Sequence, residues 1–332
     1  MLAYVVRRLV YMVVLLLIIS VVAFVIIQLP PGDYLTSHIL SLQASGQVVD
    51  AAEAARLTRI YGLDLPMHQQ YLRWFSRMLR GDFGMSFSWN RPVIAVIQDR
   101  LPITILISVI TLLFTYAVAV PIGIYSATHQ YSVPDYVATF GGFIGLATPN
   151  FLLALVLMLM FNEWFGLSVG GLFSRQYQDA PWSIGRFFDL LAHLPIPVIV
   201  IGTAGTAGLI RVMRGCLLDE LRKQYVVTAR AKGLREGALL LKYPVRVAMS
   251  PIVSTIGWVL PAIVSGEVIT SIVLNLPTVG QMLFGALRSQ DMYLAGTGVM
   301  LLAFLTVIGT FVSDVLLVMV DPRIRFERGA SH

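Results

Sequence analysis

The feature that most constrains this chain is a set of apolar stretches, about six of them, each about seventeen residues or more, within the length range a helix needs to cross the hydrocarbon of a bilayer. They run from Leu9 to Leu29, Leu101 to Ala127, Val137 to Phe161, Leu194 to Ile210, Ile252 to Leu274 and Leu294 to Val320. Hydrocarbon offers no water to backbone N–H and C=O groups, so each stretch must satisfy them internally as an α-helix. Charged residues make up 13% of the chain, about half the share usual in a soluble domain. The expected architecture is an all-α, polytopic membrane helix bundle of about six transmembrane helices.

The first stretch follows Arg7 and Arg8, as a signal peptide would. Its apolar part is about twenty residues long and is followed by Pro30, Pro31 and Gly32 instead of a small-residue cleavage site, so a retained span is expected. The fourth stretch is the shortest, with Pro195 and Pro197 at its start. Pro121, Gly123 and Pro149 fall inside apolar segments, where neighbouring helices can re-satisfy freed carbonyls, and kinks are expected there. Gly141, Gly142 and Gly145, with Gly202, Gly205 and Gly208, allow close helix approach, either within the chain or at a subunit interface.

The formal charge of +6 is not a nucleic-acid footprint, because the basic residues gather beside the apolar spans. Arg7 and Arg8 precede the first span, nine Lys and Arg from Arg211 to Arg246 fill the fourth-to-fifth connection, and Arg323, Arg325 and Arg328 close the chain. An even number of spans puts all three clusters on one side, which the positive-inside rule assigns to the cytoplasm. Both termini are then cytoplasmic. Arg56, Arg59, Arg73, Arg77, Arg80, Arg91 and Arg100 lie on the other side, in a loop of about seventy residues, beyond the length over which the rule counts charge.

This division gives an N-terminal segment and first span at 1–29, an extracytoplasmic loop at 30–100, a core of five further spans at 101–320 and a tail at 321–332. The loop is expected to form a small helical cap. Asp50-Ala-Ala-Glu53 has capping-box spacing, so a helix follows to Tyr61 and ends at Gly62. Pro66 opens another, in which Tyr71, Leu72, Phe75, Met78 and Leu79 recur at helical spacing. Such a cap either shields the bundle or offers a docking surface.

The fourth-to-fifth connection, 216–249, is long for a compact protein, and connections of that length generally have a task. Asp219 and Glu220 are expected near the start of a helix and Lys232 near its end, in keeping with the macrodipole, with Gly233 in a left-handed C′ conformation. A short second helix then runs from Arg235 until Pro244 stops it. The product is a projecting basic knob, which could lie on anionic headgroups or meet a protein.

Its residues narrow the choice. Tyr225-Val-Val-Thr-Ala-Arg-Ala-Lys-Gly-Leu234 resembles the cytoplasmic loop of permease subunits of binding-protein-dependent ABC importers, in the dipeptide and oligopeptide (Dpp/Opp-like) branch. The likeness continues in Arg7-Arg8-Leu9, Pro31-Gly32-Asp33, Tyr61-Gly-Leu-Asp-Leu-Pro66, Gln70-Tyr71, Gly81-Asp-Phe-Gly-Met-Ser86, Leu276-Pro277 with Gly280, and Asp321-Pro-Arg-Ile-Arg325. The resemblance implies a type I importer permease-like fold with a small periplasmic cap, in a bacterial or archaeal inner membrane. It implies that the loop holds a coupling helix fitting a cleft in an ATPase subunit, and so places Thr228, Ala229, Lys232, Gly233, Leu234, Arg235 and Glu236 at the coupling site. Implied partners are a second, homologous permease forming a heterodimer, two ABC ATPase subunits and a periplasmic or extracellular solute-binding protein. ATP and Mg would be bound by the ATPases, with no cofactor in this chain. The implied solute is a di- or oligopeptide, while relatives carry oligosaccharides, glutathione or nickel.

The chain also departs from the family pattern. Val227 stands where the wider family has the Glu of Glu-Ala-Ala, so no role for that carboxylate carries over. The fifth span has Ser271 where the peptide branch often has Glu, and Glu267 lies one helical turn earlier. A carboxylate in a membrane helix costs about 2.5–3.5 kcal/mol on insertion scales and usually faces the protein interior or a water-filled path. Glu267 and Ser271 are therefore expected in the translocation pathway or its gate, with a structural hydrogen-bond role as the alternative for Glu267.

No Gly-x-x-x-x-Gly-Lys-Ser/Thr loop is present, so ATP hydrolysis is not expected of this chain. Neither Gly-x-Ser-x-Gly nor His-Glu-x-x-His occurs, which argues against an intramembrane enzyme. The scattered His38, His68, His129, His193 and His332 lack ligand spacing, and the one cysteine, Cys216, permits no intramolecular disulfide, so neither a metal site nor a catalytic site is expected. An ion-coupled secondary carrier is the rival class; such carriers often show two related halves, and none is evident.

Overall fold

The computed structural model describes residues 2–28, 65–165, 170–178 and 180–320. The Asp50–Glu53 capping box, Gly62, the Pro31-Gly32-Asp33 motif and the basic tail beyond Val320 lie outside the described residues. The chain divides into two units, residues 1–103 with 277–305 and residues 104–276 with 306–332.

The first unit contains α1 (Leu2–Gln28), α2 (Met67–Leu79), a two-residue antiparallel ladder of β1 (Met85–Ser86) and β2 (Arg91–Pro92), and the start of α3 (Val93–Thr128). The sequence reading does not anticipate the ladder, nor the short helices Ile184–His193 and Val279–Arg288. Pro66 precedes α2 as expected, but the residue of that helix that is buried is Trp74, inside the Tyr71–Met78 periodicity yet absent from the predicted apolar set. Trp74 packs with Phe24, Val93, Val96, Met282, Tyr293 and Leu294 in one apolar cluster, where it can remove its large ring from water. A Cβ on Gly296 would sit 3.0 Å from Trp74 Cζ2, so glycine is what lets the indole lie against the helix backbone there. Ser20 Oγ and Tyr71 Oη, 2.8 Å apart, and Gln28 Nε2 donating to Gln70 Oε1 at 2.8 Å tie α1 to α2.

The second unit holds the remainder of α3, then α4 (Val133–Ala147), α5 (Asn150–Phe165), α6 (Ile184–His193), α7 (Pro195–Leu221), α8 (Gln224–Ala231), α9 (Glu236–Lys242), α10 (Pro244–Ser254) and α11 (Ile256–Val273). α12 (Val279–Arg288) and the start of α13 (Met292–Val320) belong to the first unit, and the end of α13 to the second. Within the second unit α7 is the central helix, packing on α4, α5, α6, α10 and α11. Ala119, Leu209, Met213, Leu217, Ala248 and Ile252 are buried together.

Among the described residues four helical segments are long and apolar enough to span a membrane: Arg8–Gln28, Val93–Thr128, Ile184–Leu221 and Met292–Leu316. The pair Val133–Ala147 and Asn150–Trp164 passes the same test jointly but is bent by 105°. Pro149 causes the bend. It forces the residue before it away from the α region, and Thr148 is extended at φ −86° and ψ 118°. The fifth apolar stretch is divided between α10, which contains Pro251, and α11. α3 stays one helix through Pro121, and Gly123 serves packing there: its Cβ would lie 2.7 Å from Met213 Cβ. Gly145 does the same for α4 on α7, 2.8 Å from Thr203 Cγ2.

The fourth span is not the shortest. α7 continues from Pro195 past Ile210 to Leu221, because Arg211 and Arg214 are good helix formers and Asp135, with its side chain 4% exposed, accepts from Arg214 Nη2 at 3.1 Å. Apolar length alone does not register a helix that runs on through polar residues with partners.

Candidate coupling site

The 216–249 connection begins one turn later than its charges suggest. Asp219 and Glu220 occupy the last turn of α7, not the first turn of α8. The macrodipole argument for placing them at a helix start gives way to a local bond: Tyr225 Oη donates to Glu220 Oε2 at 2.5 Å, bridging the break at Arg222 and Lys223. Burial and the neighbouring Glu220 carboxylate together push the Tyr225 phenol well above its ordinary range.

Lys223, extended at φ −75° and ψ 146°, caps α8, and Lys232 closes it, its N–H reaching the Thr228 carbonyl at 3.1 Å. Gly233 follows with φ +78°, the left-handed conformation expected at C′, and donates to the Arg230 carbonyl at 3.0 Å. Nothing lies within 4 Å of a Cβ placed there, so it is the backbone angle, not crowding, that favours glycine. Arg235 then caps α9, and Pro244 is at the start of α10, where its missing N–H has no intrahelical role.

α8 and α9 have a small core of their own. Val226, Ala229 and Leu239 are buried together with Tyr243 packed against them. Across the glycine, Arg230 grips Glu236 through two bonds, Nη2 to Oε1 at 2.5 Å and Nε to Oε2 at 3.1 Å. The bidentate guanidinium holds the Glu236 carboxyl below the usual glutamate range and is itself raised by it. Both side chains are about half exposed, so the pair sets the angle between the helices more than it stabilises them.

Thr228, Lys232, Gly233, Leu234, Arg235 and Glu236 are thus brought together on one exposed helix–glycine–helix knob. Ala229 is not on its surface: it is buried beneath α8. Val227 at 50% and Leu234 at 37% exposure present apolar surface beside Lys232 and Arg235. Arg230, counted in the sequence only as charge, is the structural link, and the signal for it is the opposite charge six residues on, across a glycine. The Glu267 backbone lies in α11, while its side chain is outside the described residues. Ser271, one turn later, is fully buried, with no protein partner for its hydroxyl.

With this geometry in place, comparison with known proteins is decisive. The family described as binding-protein-dependent transport system inner membrane component matches residues 119–326. The chain belongs to this family. The N-terminal membrane-component family of the same systems matches residues 1–109. Similar proteins include the oligopeptide transport system permease protein AppB of Bacillus subtilis (strain 168), 34% identical over 98% of this chain and 100% of AppB. The dipeptide transport system permease protein DppB of Escherichia coli (strain K12) is 29% identical over 99% of this chain and all of DppB. The inner membrane ABC transporter permease protein YejB of Escherichia coli O157:H7 is 30% identical over 98% and 99%.

This permease is therefore a multi-pass membrane protein and the non-catalytic membrane subunit of an ABC importer. ATPase and binding-protein partners belong to that role.

Proposed function

We propose that the permease forms half of the path by which a di- or oligopeptide, delivered by an external binding protein, enters the cell, and that the α8–Gly233–α9 knob is where an ATPase subunit grips it. The observation carrying this reading is the knob itself: two short helices set at a fixed angle by Gly233 and the Arg230–Glu236 pair, with Val227 and Leu234 exposed among cations. A docked partner covers such apolar groups, and a rigid pair of helices passes force on to α7 and α10, which flank it. The peptide class is supported by the likeness to AppB, an oligopeptide transport permease, and DppB, a dipeptide transport permease.

In this reading the knob and both termini face the cytoplasm, a second homologous permease completes the path, and two ATPases bind the pair. ATP binding closes the ATPases, the knobs move with them, and the bundle changes the side to which it opens. Glu267 and Ser271 line the path or its gate. Glu267→Ala then lowers substrate-stimulated ATP hydrolysis more than it lowers assembly.

Gly233→Pro tests the reading directly, because proline cannot adopt φ +78°. The variant is expected in the membrane, with ATP hydrolysis no longer driving uptake in reconstituted vesicles; full transport would refute the role. Mass spectrometry of what the binding protein retains tests the solute class. Oligosaccharide, glutathione or nickel there would replace peptide.

A further inference from the structure

Helical hydroxyl side chains in this protein ordinarily return to the carbonyl one turn back. Thr203 Oγ1 donates to Ile199, Thr128 to Ile124, Thr228 to Gln224 and Thr310 to Thr306. Such bonding is how hydroxyls are accommodated in apolar surroundings. On α3, where Thr128 follows the rule, the pattern fails at Ser108, Thr111 and Thr115. Thr104, Ser108, Thr111 and Thr115 recur at i, i+4, i+7 and i+11, within about 60° of one another around the helix axis at 100° per residue. All four are at most 2% exposed, and the hydroxyls of Ser108, Thr111 and Thr115 have no protein partner.

At Thr115 the facing surface belongs to α7. A Cβ on Gly202 would be 3.3 Å from Thr115 Oγ1, and one on Gly205 would be 3.6 Å from Thr115 Cγ2, so two glycines leave Thr115 its room. Thr206, next along α7, is 9% exposed and its hydroxyl also lacks a protein partner. A buried hydroxyl without a partner costs about 1–3 kcal/mol, and valine would fill nearly the same volume without that cost. Repeating the penalty along one seam is explicable if the same groups are hydrogen-bonded in another state of the bundle.

We propose that the seam of Ser108, Thr111 and Thr115 on α3 against Gly202, Gly205 and Thr206 on α7 is a wall of the solute path, closed here and opened to water in the other state. Its hydroxyls are neutral and both donate and accept, so they suit the amide groups of a passing peptide and not a charge. The inference rests on the importer reading above.

The test uses the assembled transporter in vesicles. Cys216 is the one native cysteine, so Thr111→Cys and Thr115→Cys are made in a Cys216→Ser parent that supports uptake, with Met213→Cys as a dry-core control. Modification by a small charged methanethiosulfonate is timed with and without ATP and vanadate. The seam cysteines are expected to react about tenfold or more faster in one state than in the other, while position 213 stays unreactive in both. Equal, slow reaction in both states while ATP drives uptake would overturn the seam and leave the importer reading standing. A seam that opens in a complex whose uptake needs no ATP would sink the importer reading instead.

A second measurement covers cysteines that disturb folding. The pair Thr111→Val and Thr115→Val keeps shape and removes the hydroxyls. A path wall predicts uptake reduced about fivefold with unchanged or raised thermal stability, and activity retained by the matching serine pair. Normal uptake by the valine pair would show the seam to be dry core and defeat the proposal.

Discussion

The Asp291 clasp of the first unit and the α8–α9 knob of the second are both small polar constructions, but they are built to opposite ends. Asp291 is fully buried, and its Oδ2 accepts from Ser86 Oγ at 2.6 Å, Ser88 Oγ at 2.9 Å and Ser88 N at 3.0 Å, while Oδ1 accepts from Leu294 N at 3.2 Å. One carboxylate thus caps α13 and fastens the hairpin, with Gly84 at φ +77° turned against the Tyr293 ring. The knob instead keeps its charges exposed and its core to three buried residues. Buried, fully satisfied networks rigidify, whereas exposed pairs with a minimal core leave a surface free to be held by something else.

Asp291→Ala is the sharpest way to break the contrast. It strands the buried donors of Ser86 Oγ and Leu294 N and frees Ser88, and should cost about 3 kcal/mol, read as a lower melting temperature of the purified permease complex. Stability within error of the parent would mean that the clasp is ornamental. Leu239→Ala comes next, at about 2 kcal/mol, because it hollows the small core of the knob. Its effect should appear as protease sensitivity confined to 222–243, with the first unit unaffected; global unfolding would show the knob to be no independent patch.

Gly233→Ala is a smaller change, about 1 kcal/mol for a left-handed alanine, and should lower transport per ATP hydrolysed more than it lowers stability. Arg230→Gln should lower melting at neutral pH only slightly, because the pair is exposed. The lowered Glu236 pKa means that the pair contributes above the ordinary glutamate range and loses that contribution as pH falls through the lowered value. Parent and variant should therefore converge in acid, and any difference that grows in acid would contradict the pairing.

Much of this was legible before any coordinates. A glycine after a run of basic residues, followed by a short apolar segment and a proline, is enough to place the end of α8, Gly233 and α9, because left-handed φ and a missing N–H are properties of single residues. Trp74 was not, since helical spacing identifies a face and several residues in α2 compete for it; Leu72 and Leu79, predicted apolar contacts, are exposed. Nor was the position of Asp219 and Glu220, which Tyr225 decides through a bond that crosses a helix break.

The sequence by itself determined that this chain is helical and lives in a membrane, because hydrocarbon leaves long apolar stretches no other way to satisfy their backbones. It also determined where the knob turns, and its motifs were enough to name the family. Only the tertiary structure decided which hydroxyls lie buried without partners, which carboxylate fastens the hairpin to α13, and that Arg230 reaches Glu236. Those depend on which side chains meet across elements, and periodicity along one helix carries no information about the neighbour it will face.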